Sequence, residues 1–150
     1  AQREARAYHS TAMLIPSGQV LSAGDDLNGG TKSDTGEVYS PPYLYKGKRP
    51  VIKSVTKKVR YGGTFRLKTN KAVSRVVLMA PGSVTHAVDM HQRHIELRPA
   101  VKYGQGQVVQ PKKTGKWKAP ASGNIAPPGY YMMFAIRNGV PSKAAWVRVS

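Results

Sequence analysis

The side chains in this sequence best equipped for chemistry are four histidines, His9, His86, His91 and His94, and Tyr8, which directly precedes the first of them. Imidazole nitrogen and phenolate oxygen together suit copper(II), which favours tetragonal N and O donors. Tyr8-His9 opens an apolar segment, and His86 lies within Pro81-Gly82-Ser83-Val84-Thr85-His86-Ala87-Val88-Asp89. Neighbouring strand residues point to opposite faces. Tyr8 and His9 can therefore share an ion only if the backbone turns there or they stand at a pore mouth; otherwise they are a packing residue and a surface residue. His91 and His94, three apart, read as a separate metal pair or as two exposed histidines in a basic loop.

Other chemistries find little support. There is no cysteine, so disulfides, a zinc ribbon and a thiol nucleophile are excluded within this chain. Seven acidic residues are too few for much paired-carboxylate catalysis. HExxH, a serine elbow and a P-loop are missing, and Gly104-Gln105-Gly106 lacks the downstream glycine and helix of a phosphate cradle.

The elements that must position these residues read as all-β. Fifteen glycines and eleven prolines punctuate short apolar segments, and helical periodicity is nearly absent. Residues 8–15 form a strand candidate, Pro16-Ser17-Gly18 a turn and 19–23 the return strand of a hairpin. A polar, glycine-rich loop over 25–34 leads to a short strand at 36–39. The proline-rich stretch 40–50 marks the expected domain boundary, with domains at 1–45 and 46–150. Strands then follow at 51–55, 63–69, 74–79, 94–98, 107–110, 129–136 and 144–149, the number and spacing of an immunoglobulin-like β-sandwich. Three short strands cannot enclose a core, so the first 45 residues must pack on the sandwich or on further polypeptide.

The chain carries 24 Lys and Arg against 7 Asp and Glu, a net charge of +17. No acidic residue falls between Glu37 and Asp89, and none follows Glu96. Such a surface attracts polyanions: acidic polysaccharide, nucleic acid, lipid headgroups or an acidic protein. The alternative is a solvated face that confers solubility. A nucleic-acid reader adds a groove-entering helix or a platform of aromatics, and neither is visible, so nucleic acid is the minor expectation. No apolar run reaches the length of a transmembrane helix. The first residue is alanine and no signal peptide is evident, which suggests a processed or trimmed chain.

The segment 7–24, with Tyr8-His9-Ser10, an apolar strand and Pro16-Ser17-Gly18-Gln19-Val20, resembles the last propeller blade of galactose oxidase and glyoxal oxidase relatives. Further matches follow in order: Pro41-Pro42-Tyr43-Leu44, Arg49-Pro50, Gly82-Ser83-Val84-Thr85-His86, Gln92-Arg93, Pro127-Pro128-Gly129-Tyr130-Tyr131-Met132 and Gly139-Val140-Pro141-Ser142. Each is weak alone; the ordered set spans essentially the whole chain.

The resemblance implies a kelch-type β-propeller blade remnant followed by an immunoglobulin-like early set domain. It implies a secreted, extracellular or cell-surface copper-radical oxidase of primary alcohols or aldehydes that reduces O2 to H2O2. On this resemblance His86 is the histidine delivered up the propeller pore, His9 the other imidazole ligand, and Tyr8 the axial tyrosine that accepts the substrate's hydroxyl proton. The tyrosyl radical cofactor of this family is a Tyr–Cys cross-link, which a chain without cysteine cannot form. The expectation is therefore a C-terminal fragment or subunit, inactive alone and completed by an N-terminal propeller polypeptide, with anionic polysaccharide as a further candidate partner. The alternative is a non-catalytic immunoglobulin-like module that binds anionic glycan or a protein.

Overall fold

The computed structural model describes residues 3–6, 9–24, 35–86, 88–100 and 112–150. Fourteen strands appear among them: β1 (Thr11–Leu14), β2 (Val20–Ala23), β3 (Gly36–Tyr39), β4 (Ile52–Val55), β5 (Lys58–Val59), β6 (Thr64–Val73), β7 (Arg75–Met79), β8 (Val84–Thr85), β9 (Val88–Asp89), β10 (His94–Leu97), β11 (Lys112–Lys118), β12 (Gly129–Arg137), β13 (Val140–Pro141) and β14 (Ala145–Val149). A 3-10 turn at Pro42–Tyr45 is the sole helical element among the described residues. The all-β reading therefore holds. The 107–110 strand expected from the sequence lies outside the described residues.

The sandwich is built from two sheets. One has the order β10-β7-β12-β14-β5, with β13 paired to β12. The other has the order β11-β6-β4. Their inner faces supply the main core, including Phe65, Leu67, Leu78, Trp117, Tyr131, Met133 and Val147. In β6, burial alternates residue by residue from Thr64 to Asn70, the period-2 signature of a strand with one wet face.

Strand β12 behaves differently. Tyr131, Met132, Met133, Phe134 and Ala135 are all buried, so both faces of this strand are covered. The second cover comes from the N-terminal sheet β1-β2-β3. Leu14 of β1 packs with Val77, Met132 and Phe134, together with Met79, Ile136 and Ala144. Polar stitches hold this seam: the Ala144 N–H donates to the Pro16 carbonyl at 2.8 Å, and the Tyr43 hydroxyl donates to the Gly18 carbonyl at 2.7 Å. The half-buried Arg49 guanidinium donates to the carbonyls of Pro141 (2.8 Å) and Ser142 (2.7 Å). An apolar cleft of about 190 Å³ remains in the seam, lined by Leu14, Tyr43, Val77, Met79, Phe134 and Ile136 among others. The first sheet thus does pack on the sandwich, as its size requires.

Candidate metal centre

Two of the three metal-ligand candidates meet. The rings of His9 and His86 lie with centroids 4.9 Å apart and planes at 89°. Tyr8, the third, is outside the described residues. His91 and His94 do not join the pair: both are exposed, His91 Nδ1 lies 3.0 Å from the Pro81 carbonyl, and His94 pairs with Met79 across β10 and β7. Among the described residues, no group of three or more His, Cys, Asp and Glu converges on a common point.

Each histidine of the pair is held by an unusual piece of backbone. His9 has φ 63° and His86 has φ 52°, left-handed conformations that only a few per cent of non-glycine residues adopt. Such outliers persist where surrounding structure enforces them, and they concentrate at functional sites. His9 occupies a turn just before β1, so its ring is not constrained by strand alternation.

Gly24 enforces the turn. It follows β2 with φ 84°, and a Cβ there would come within 2.8 Å of the His9 carbonyl oxygen, so the close approach requires glycine. Arg6 anchors the same corner. Its guanidinium is almost fully buried, donates to the Gly24 carbonyl at 3.0 Å and to Thr35 Oγ1 at 2.9 Å, and lies 3.5 Å from Glu4 and 3.6 Å from Glu37. The Glu37 carboxylate in turn accepts the backbone N–H of Arg3, which holds its pKa below the usual carboxylate value.

His86 projects from the turn that joins β8 to β9. Asp89 closes this loop by accepting the N–H groups of Ser83 (2.9 Å) and His91 (3.0 Å). Gly82 lets the loop lie on β1: a Cβ at that position would stand 3.3 Å from the Cβ of Met13. Thr85 Oγ1 lies 2.7 Å from His86 Nδ1, a contact that orients the ring. A cleft of about 320 Å³ lies between β1, β2 and the β8–β9 loop, lined by Arg6, Ser10, Thr11, Ser22, Val84 and Asp89 among others. Buried in this region, Arg6 Nε and Thr11 Oγ1 have no hydrogen-bond partner among the described residues.

Sequence reading missed Arg6 and Gly24. Gly24 carried a signal, a glycine directly after a strand; Arg6 carried none, because its importance lies in burial. As a donor set the pair is coherent. Two imidazoles bound side by side to one ion through metal–nitrogen bonds of about 2.0 Å have ring centroids roughly 4.5 Å apart, close to the separation seen.

Comparison with known proteins agrees with this architecture. The family model described as galactose oxidase-like, early set domain matches residues 49–149. Over 96% of this chain, an aldehyde oxidase, GLOX1, of Arabidopsis thaliana is 35% identical, and the match covers 26% of that protein. A galactose oxidase of Gibberella zeae is 32% identical over 97% of this chain and 22% of its own length. The solved structure of a fungal alcohol oxidase of the AA5 family, in complex with copper, superposes with a TM-score of 0.81 at 31% identity, covering 99% of this chain and 32% of that one. The chain thus spans about a fifth to a third of these relatives, in their C-terminal portion. Its match over residues 49–149 makes it a member of the galactose oxidase-like early set family.

Proposed function

We propose that this chain supplies the copper-ligating C-terminal part of a copper-radical oxidase of primary alcohols or aldehydes. The observation that carries the reading is the meeting of His9 and His86, residues far apart in sequence, each on left-handed backbone. The relatives' names, which include aldehyde, alcohol and galactose oxidases, support the reaction class.

On this reading His86 binds copper through Nε2, because Nδ1 is engaged by Thr85. His9 gives the second imidazole. Tyr8 would give a phenolate oxygen to the ion and would take the substrate's hydroxyl proton on that oxygen. Copper held there would supply the redox chemistry by which the substrate loses two electrons and two protons and O2 becomes H2O2. The cysteine-free chain provides no Tyr–Cys cross-link, so that part of the oxidant must come from propeller polypeptide outside this sequence. The three-stranded sheet is then a blade of that propeller, and a secreted, extracellular or cell-surface location goes with the reading.

Titration with Cu(II) tests it. The wild-type chain should take up one equivalent, and His9→Ala, His86→Ala and Tyr8→Phe should each weaken uptake by about tenfold or more. Equal affinity in all four proteins would leave an immunoglobulin-like binding module without a metal as the better reading.

A further inference from the structure

On the opposite side of the sandwich from the N-terminal sheet, the outer face of β11-β6-β4 presents a grid of cations. Strand alternation sends Phe65, Leu67 and Trp117 into the core and leaves Arg66, Lys68, Lys116 and Lys118 exposed on the other face. The register sets Lys116 directly across from Arg66, with Lys118 opposite Thr64 and Lys68 between Thr114 and Ser54. Arg98 extends the grid, since its carbonyl accepts the Lys118 N–H at 2.8 Å beside the Pro99–Trp117 bridge. β4, β6 and β11 contain no acidic residue. The acidic side chains among the described residues lie elsewhere: Glu4 and Glu37 near Arg6, Asp89 in the His86 loop, and Glu96 on Arg75.

A directly opposed Arg66–Lys116 pair opposes folding rather than aiding it, because like charges across an antiparallel pair repel. Its presence within a larger cationic array is explained by a ligand that supplies the missing negative charge. We infer that this sheet face is a docking platform for an acidic polysaccharide. Its cations repeat at roughly 5 Å across strands and about 7 Å along them, which suits an extended polymer with a carboxylate or sulfate at short intervals. Nucleic acid fits less well: the aromatics that would stack bases, Phe65 and Trp117, point inward, and among the described residues no helix stands on this face. A lipid surface fits less well too, because the exposed positions of β6 and β11 bear no apolar side chain to insert. The site is remote from His9 and His86, so it stands or falls independently of the copper reading.

The test measures binding of the full chain to polygalacturonate, with a DNA duplex and phosphatidylserine vesicles as competing probes. Replacing Arg66, Lys68, Lys116 and Lys118 by Gln should weaken polygalacturonate binding by about tenfold or more and flatten its salt dependence, with Cu(II) uptake unchanged. A control that removes four exposed cations elsewhere, Lys46, Lys58, Lys143 and Arg148, should lose no more than about threefold. Lys116→Thr alone should weaken binding roughly two- to threefold yet melt at the same or higher temperature, since it relieves repulsion; this variant carries the test if the fourfold one folds poorly. Equal losses in platform and control variants would overturn the inference in favour of net charge alone. Tighter binding of DNA or vesicles than of polygalacturonate, through the same four cations, would overturn it in favour of those ligands.

Discussion

Strands β6 and β12 are the two long strands of the sandwich, and they differ in what covers them. β6 alternates buried and exposed residues, so one face meets the core and the other meets water. β12 buries five consecutive residues because the N-terminal sheet lies over its second face. A strand's burial pattern thus reports whether its outer face is occupied. The occupied face lies under the sheet that β1 and its preceding His9 lead into; the open one carries cations.

Truncation should separate the two strands sharply. Phe134→Ala in β12 empties the seam and should cost about 3–5 kcal/mol, whereas Lys68→Ala on the open face of β6 should stay within about 0.5 kcal/mol, both measured by urea unfolding. A Phe134 value near that of Lys68 would mean that the N-terminal sheet is not packed on β12.

Gly24→Ala tests the corner that holds His9. Forcing a Cβ against the His9 carbonyl at positive φ should cost about 1–2 kcal/mol and weaken Cu(II) uptake, because the turn must open. Unchanged melting and metal uptake would show that Gly24 does not set the position of His9.

The sequence made β12 legible but hid β11. Tyr130-Tyr131-Met132-Met133-Phe134-Ala135-Ile136 is an unmistakable apolar run. Lys112–Lys118 reads as polar because its inward positions beside Phe65 and Leu67 are filled by Trp117 and by Gly115, which has no side chain. The 3-10 turn falls in the proline-rich stretch read as a boundary, but its role in fastening Gly18 through Tyr43 needed coordinates. For the site, spacing placed Tyr8 and His9 on opposite faces of one strand. Only the ordered resemblance joined His9 to His86, because the deciding features are backbone turns at His9 and His86 and the packing of Gly82 and Gly24, which no linear pattern encodes.

A further modest effect is expected on the occupied sheet's outer edge. Arg75 and Glu96 form a two-pronged ion pair at 2.9 and 2.7 Å, and hydrogen bonding from Arg75 lowers the Glu96 pKa. A depressed carboxylate pKa stabilises the fold at neutral pH, and that contribution fades as pH falls below about 4.3 through the lowered value. The pair is half exposed, so Glu96→Gln should cost no more than about 1 kcal/mol at pH 7 and nothing once Glu96 is protonated. A penalty of several kcal/mol, or one that grows on acidification, would show that Glu96 is coupled to something beyond Arg75.

The central claim is that two imidazoles from distant parts of the chain share one ion, and electron paramagnetic resonance of the Cu(II)-loaded chain reads this directly. Coupling to two imidazole nitrogens is expected in the wild type, falling to one in both His9→Ala and His86→Ala. A spectrum unchanged by either substitution, or dominated by His91 and His94, would contradict it.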